Sequence, residues 1–321
     1  MKSIRLLLML VLGIIVQLSA QTWTSQTSGT TNTLRHVFFI DANTGWAVGS
    51  GGIVLKTSNG GALWTSQTIT GSPLLIGCYF VNATTGWIGG DAGVYKTTDA
   101  GATWNIQSGP SSVTKRYFLN AATGWAVGGT DGSKPTVDAI FKTTNGGSTW
   151  STLSQNTTWS RLYGVQFVDA NMGWAYTESN GLLVKTTDAG VAWQIRLSYG
   201  TTLRIQGIYF LNQNIGWLVG RTSSSGVVMK TTNGGAQWTD YGAGLLFSVA
   251  DVKFADANNG WVLASGPAGK GMLHSTDGGA IWALTAEGVT NMNSMLFLDA
   301  NNARAVGETG AIMRYAGTTG V

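Results

Sequence analysis

A unit repeated seven times along the chain constrains the fold more than any other feature. Each copy has a Phe and, seven residues later, a Trp preceded by Gly; in the last copy Ala303 and Arg304 occupy the Gly-Trp positions. In six copies a basic residue is followed, eight residues later, by a second Trp. The copies recur every 38 to 49 residues, which is the length of one blade of a β-propeller.

The spacing within the unit predicts four strands, which we call A to D. Strand A ends near the Phe, strand B begins at Gly-Trp, strand C ends at Lys-Thr-Thr, and strand D carries the second Trp. The A–B and C–D turns have fixed lengths and are rich in Asp, Asn and Gly, which favour tight turns. The second Gly of the C–D turn is never replaced, whereas the first is Ala at Ala100 and Ala189. We therefore expect the second Gly to adopt a left-handed conformation.

The seventh copy lacks strand D, and the missing strand is found at the start of the chain. The segment 21–27 closely resembles the segment 63–68, and Trp23 lies 41 residues before Trp64. We therefore predict an all-β, seven-bladed β-propeller whose N-terminal strand completes the last blade. Such closure ties the ring shut and leaves no open sheet end. Residues 21–321 are expected to form one domain.

The first 20 residues resemble a secretory signal peptide. Lys2 and Arg5 precede an apolar run too short to span a bilayer, and Ser19-Ala20 provides small residues at a cleavage site. Without Lys2 and Arg5 the formal net charge falls from +4 to +2, which argues against non-specific nucleic-acid binding. We expect a monomeric protein that is exported, whether to the periplasm, to a thylakoid-lumen-like compartment or outside the cell. The single cysteine, Cys78, is expected to be a buried core thiol.

The segments 57–64 and 275–282 look like Asp-box (BNR) repeats. Together with Gly-Trp-Ala-Val-Gly and Lys-Thr-Thr-Asn-Gly-Gly, they give the whole chain a resemblance to the photosystem II stability/assembly factor family. That resemblance implies a seven-bladed propeller that acts in photosynthesis as an assembly chaperone without catalysis. It also implies a cluster of arginines on one face that contacts a membrane-protein partner, such as an assembly intermediate.

All variation in loop length falls on the B–C and D–A connections, which lie on one face of a propeller. Variable loops on a rigid scaffold commonly bind partners, and arginine with aromatic residues is typical of interaction hot spots. Trp159 stands out because the other 13 of the 14 tryptophans belong to the repeat. The expected partner-binding residues on this face are Arg35, Arg116, Arg161, Arg196, Arg204, Arg221, Trp159 and Tyr163. The long B–C loop 128–138 is another candidate contact.

The alternative is a carbohydrate-binding propeller or a sialidase-like glycoside hydrolase, since Asp-boxes also occur in such enzymes. Glycoside hydrolysis ordinarily needs two carboxylates across the bond, and Asp251 is the only carboxylate expected to face the channel mouth. Asp138 or Glu178 would have to be the second, and neither pairing has support in the sequence. Two histidines, His36 and His274, do not make a metal site alone. We therefore expect no catalytic residue, no metal and no cofactor. A glycan remains the alternative ligand to a protein partner.

Overall fold

The structure, a computed structural model, describes residues 22–109, 113–129, 138–156, 159, 162–177, 179–242, 248–266, 269–284 and 291–316. These residues form seven sheets of four antiparallel strands each, so the predicted seven-bladed propeller is confirmed. Within the described part of the chain, no helix has the length and apolar character needed to cross a membrane.

The strands are numbered in chain order, and each blade lists strands A to D. Blade 1 is β2 (Leu34–Phe39), β3 (Gly45–Gly49), β4 (Ile53–Thr57) and β5 (Thr65–Thr68). Blade 2 is β6 (Leu75–Phe80), β7 (Gly86–Gly90), β8 (Gly93–Thr97) and β9 (Asn105–Gln107). Blade 3 is β10 (Val113–Phe118), β11 (Gly124–Gly129), β12 (Asp138–Thr143) and β13 (Ser151–Asn156). Blade 4 is β14 (Leu162–Phe167), β15 (Gly173–Thr177), β16 (Leu182–Thr186) and β17 (Gln194–Ser198).

Blade 5 is β18 (Arg204–Phe210), β19 (Gly216–Arg221), β20 (Gly226–Thr231) and β21 (Thr239–Asp240). Blade 6 is β22 (Ser248–Phe254), β23 (Gly260–Gly266), β24 (Gly269–Ser275) and β25 (Ala283–Leu284). Blade 7 is β26 (Met292–Asp299), β27 (Asn302–Gly307), β28 (Ile312–Ala316) and β1 (Thr22–Gln26). Three short 3-10 turns lie at Ser50–Gly52, Gly200–Thr202 and Glu308–Gly310.

The ring closes at blade 7 as the sequence predicts. β1 pairs antiparallel with β28, with Trp23 opposite Tyr315. The side chain of Gln26 then donates a 3.0 Å hydrogen bond to the carbonyl of Gly60 in the C–D turn of blade 1. The N-terminal strand therefore links the last blade to the first.

The repeated Phe and the first Trp hold neighbouring blades together. In six of the seven junctions the Trp of one blade stacks on the Phe of the next, and the Trp46–Phe80 rings are 3.4 Å apart with planes 8° from parallel. At the seventh junction Arg304 lies over the Phe39 ring at 4.8 Å. The repeat lysines of blades 2 to 5 lie over the same Trp rings at 5.0–5.3 Å, so their recurrence has a packing role.

The C–D turn is held by its own side chains. In blade 2 the hydroxyl of Thr97 accepts hydrogen bonds from the backbone N–H of Asp99 and Gly101, while the Asp99 carboxylate accepts one from the N–H of Thr103. Both glycine positions have positive φ, which is 64° at Ala100 and 88° at Gly101. The first position thus has the usual left-handed geometry that Ala tolerates, and the second, where φ is larger, is always Gly.

Candidate functional site

A cavity of about 420 Å³ lies on the propeller axis and is lined by strand A of all seven blades. Because strand A is the innermost strand, its residues decide what this cavity can bind. The strand runs from the variable-loop face toward the fixed A–B turn, so its first residues lie at one mouth of the cavity. The sequence-predicted partner-binding residues can be placed relative to this mouth.

Every strand A contains a β-bulge at the residue four positions before its Phe. The register with strand B shifts there in all seven blades. A bulge redirects a side chain and is common beside functional sites. The bulged residues are Arg35, Ile76, Thr114, Tyr163, Gln206, Ala250 and Asn293. Two of the predicted residues, Arg35 and Tyr163, therefore share one level near the mouth.

Four predicted residues, Arg35, Tyr163, Arg204 and Arg221, define what we call the mouth face. Arg204 opens β18 and lies directly opposite Arg221, the last residue of β19. All four side chains are exposed. The only ion pair within the described residues joins Lys253 to Asp251, so no described carboxylate neutralises these arginines. Arg221 was expected in the B–C loop, but the loop begins one residue later, because β19 extends to meet Arg204.

Arg116 does not lie on the mouth face, contrary to expectation. It occupies a position filled by Val37 and Val165 in other blades, inside the wall between blades 2 and 3. The side chain fits there because strand B of blade 2 has a glycine, Gly89, beside it. A Cβ at Gly89 would lie only 2.0 Å from an Arg116 nitrogen and would clash with it. Burial lowers the pKa of Arg116 to about 10. Its Nε is buried without a hydrogen-bond partner in the described structure.

Arg196 is also misplaced by the sequence analysis. It was expected in a D–A connection, but it lies within the outer strand β17, where its Cβ is 3.5 Å from the position of a Cβ on Gly235. Its guanidinium donates to the side chain of Gln194 at 2.9 Å. Gln67, three residues after its Trp like Arg196, also contacts the next blade's C–D turn. Arg196 is therefore an inter-blade contact near the fixed-turn face.

Trp159 is half-buried and packs against the hydrophobic core between blades 3 and 4. That packing explains its apolar character without a partner, and its role in binding stays a prediction. Arg161, most of the loop 128–138 and the predicted signal peptide lie outside the described residues.

Below the mouth, the cavity contains charged residues that the sequence analysis missed. Lys115 on β10 is open to the water of the cavity but enclosed by the ring of blades, and this desolvation lowers its pKa; Lys253 adds to the lowering and Asp251 opposes it. Lys253 Nζ lies 2.7 Å from Asp251 Oδ1. The pKa of His36 falls to about 3 through burial and, secondly, through Lys115 and Lys253. The cavity is therefore cationic at neutral pH.

An aromatic row lies one residue before the repeat Phe, deeper in the cavity than Lys115 and at the level of Lys253. The rings of Phe38 and Tyr79 are 4.8 Å apart, and those of Tyr79 and Tyr117 are 5.8 Å apart. Tyr209 occupies the same level in blade 5, 6.0 Å from Lys253 Nζ. Burial raises the pKa of all three tyrosines, so they are neutral hydrogen-bond donors. A sequence signal could have found the two lysines. Lys115 stands where three other blades have Gly, and Lys253 stands where three other blades have Tyr.

The cavity holds little of the chemistry that hydrolysis or metal binding needs. Asp251 is the only carboxylate among its described lining residues, as expected, and it is paired with Lys253. Burial raises the pKa of the Cys78 thiol, which lies 3.5 Å from His36 Nδ1, so the thiol is the stable form. No group of three or more His, Cys, Asp or Glu residues in the described part could hold a metal ion.

Fold and site together define a seven-bladed propeller of the Asp-box type, with an arginine-bearing mouth face above a cationic, aromatic-lined cavity. The family model described as "Photosynthesis system II assembly factor YCF48" matches residues 15–161 and 148–244. The chain therefore belongs to the YCF48 photosystem II assembly factor family, as the repeat resemblance implied. No curated protein matches its sequence.

Solved structures with the same fold come from several functional classes. A structure titled "YCF48 bound to D1 peptide" matches with a TM-score of 0.74 at 20% identity, covering 92% of this chain and 96% of that one. YCF48 from Cyanidioschyzon merolae matches with a TM-score of 0.73 at 20% identity, covering 92% of this chain and 98% of that one. The GH74 enzyme of Niastella koreensis matches with a TM-score of 0.69 at 14% identity, covering 91% of this chain and 53% of that one. At these identities the likenesses show the shared propeller fold.

Proposed function

We propose that this protein is an exported, monomeric, non-catalytic assembly factor that binds a segment of a membrane-protein intermediate through its mouth face. The observation that carries the proposal is the pair Arg204 and Arg221, which face each other across β18 and β19 with no described carboxylate between them. Two adjacent guanidinium groups repel each other unless an anion lies between them, and they suit a carboxylate of a partner.

Arg35 and Tyr163 extend this surface around the mouth. Both project from bulges of strand A, and Tyr163 exposes 41% of its surface. Exposed Arg and Tyr side chains supply the anchors typical of protein interfaces. The structure titled "YCF48 bound to D1 peptide" shows a family member with a peptide, which supports a peptide segment as the ligand class. We therefore propose an acidic peptide segment for this chain.

The test is a selection of random peptides on the immobilised protein, followed by fluorescence anisotropy of the selected peptides. We expect acidic peptides to be enriched, and we expect Arg204→Ala/Arg221→Ala to weaken their binding by about tenfold or more, equivalent to ~1.4 kcal/mol. Lys142→Ala is the matched control, because Lys142 is a cation that lies over Trp125 away from the mouth. Equal affinity of the double variant and the control would refute the proposed surface.

Export is a separate part of the proposal and has its own test. Expression of the full chain with fractionation and N-terminal sequencing should give a protein that begins at Gln21. A full-length chain retained in the cytoplasm would refute export.

The rival function, a glycan-binding or hydrolytic propeller, has one paired carboxylate in the cavity to support it. Turnover of a fluorogenic sialoside or glucan, lost in Asp251→Asn, would favour that rival.

A further inference from the structure

Four cationic side chains line the central cavity, Arg35 at its mouth and three below it, against one carboxylate among the described residues. Lys115, Arg116 and Lys253 contribute positive charge, and Asp251 neutralises only Lys253 directly. The Arg116 guanidinium, whose Nε is buried, has no partner among the described residues to offset its desolvation, whereas Lys115 is open to the cavity. Neither Lys115 nor Arg116 has an ion-pair partner within the described residues. The excess charge is thus a feature that the fold does not require, since three other blades have Gly at the position of Lys115 and all six others have an uncharged residue at the position of Arg116.

The walls beside these cations are aromatic. Phe38, Tyr79 and Tyr117 form a row across blades 1 to 3, with ring centroids 4.8 and 5.8 Å apart. Tyr209 lies 6.0 Å from Lys253 Nζ, so Lys253 shares the aromatic level, and Lys115 lies two residues nearer the mouth. The volume of about 420 Å³ falls in the range of small-molecule sites, which combine apolar walls with a few convergent polar groups.

We propose that the central cavity is a second binding site, below the Arg204–Arg221 pair of the mouth face, for a small aromatic anion. Lys115 and Lys253 attract the anionic group, and the Phe38–Tyr79–Tyr117 row contacts the ring system. The neutral phenols can donate further hydrogen bonds to the anion. This site uses neither Arg204 nor Arg221, the pair that carries the proposed partner site, although Arg35 and Tyr163 of the mouth face lie at the rim of the cavity.

The test uses a matched pair of fluorescent probes with the folded full-length protein. 8-Anilinonaphthalene-1-sulfonate carries an anionic group, and N-phenyl-1-naphthylamine has the same rings without it. We expect saturable binding of one sulfonate probe per chain, about tenfold or more tighter than the neutral probe. Benzoate should displace the bound probe.

Variants assign the binding to the cavity. Lys115→Met should reduce the preference for the anionic probe by about threefold or more, because it removes one cavity cation while keeping the apolar stem. Lys142→Met, a lysine outside the cavity, and Arg204→Ala/Arg221→Ala should both bind the probe as the unmodified protein does. Circular dichroism checks that each variant is folded. Absence of saturable binding to the unmodified protein, or an unchanged preference in Lys115→Met, would overturn the proposal.

Discussion

At the residue scale, the folded structure strongly lowers the pKa of His36. Its pKa is about 3 because the side chain is buried and because Lys115 and Lys253 are near. In the unfolded chain the same group titrates near 6.5. The unfolded state therefore binds one more proton than the folded state between these pH values. The contribution of neutral His36 to the free energy of unfolding is fully present above pH 6.5 and is lost as the pH falls toward 3.

The prediction is that His36 makes the protein acid-sensitive well above the pH at which carboxylates protonate. Lowering the pH from 7 to 5 should cost about 2 kcal/mol of unfolding free energy through this group alone, at ~1.4 kcal/mol per pH unit. Urea denaturation at each pH measures the loss, and His36→Gln should flatten the slope. A slope unchanged by His36→Gln would contradict the low pKa.

Arg304 shows how one residue replaces another of different chemistry. In blades 1 to 5 the first Trp of the repeat donates its indole N–H to a carbonyl in the C–D turn of the next blade. The acceptor is the residue at the first Gly position of that turn, as when Trp87 donates to Gly146 at 2.8 Å. Arg304, which is 1% exposed, donates to Gly60 at 3.0 Å in the same way. The guanidinium thus makes both the hydrogen bond and the ring contact that elsewhere require Trp.

We predict that Arg304→Ala will destabilise the protein by about 3 kcal/mol or more, since it opens a cavity under Phe39 and removes one of the two side-chain hydrogen bonds to the Gly60 carbonyl. Arg304→Trp should retain more stability than Arg304→Ala, because an indole can restore the repeat contact. Denaturant unfolding of both variants measures the difference. The reverse order of stability would show that Arg304 is not a substitute for the repeat Trp.

At the element scale, the C–D turn is the most strongly specified part of the repeat. Thr97 is fully buried and its hydroxyl serves two backbone N–H groups and the Asp99 carboxylate. We predict that Thr97→Val, which keeps the shape and removes the hydroxyl, costs about 1–3 kcal/mol through the unpaired Gly101 N–H. Thermal denaturation measures the loss against Thr98→Val, a change at the exposed neighbour. Equal effects of the two changes would contradict this role of the hydroxyl.

The elements also show what a single sequence can predict. The repeat Phe, with Trp or Arg304 seven residues later, predicted every blade, because each inter-blade junction needs a group that packs on the Phe ring. The second tryptophans were expected within strand D, but blade 1 shows β5 beginning at Thr65, one residue after Trp64. Arg116 could not be placed by spacing alone, since its position depends on space left by Gly89 in the neighbouring blade. Side-chain direction at bulges is likewise decided by three-dimensional packing.

At the scale of the whole molecule, closure by β1 determines whether the ring is one cooperative unit. A chain that lacks residues 1–26 leaves the edge of β28 unpaired. We predict a lower thermal midpoint and concentration-dependent association, because an open edge recruits other strands. A synthetic peptide of residues 22–27 should restore the midpoint, whereas a scrambled peptide should not. Restoration by both peptides would contradict specific strand pairing.

The central functional claim is that a partner binds the mouth face. Hydrogen–deuterium exchange of the protein with and without a selected acidic peptide tests it most directly. We predict slower exchange of backbone amides at the start of β18, at the end of β19 and around Tyr163 on β14, with the C–D turns unchanged. Slower exchange confined to the C–D turns, or to the outer strands, would place the partner elsewhere and contradict the proposed surface.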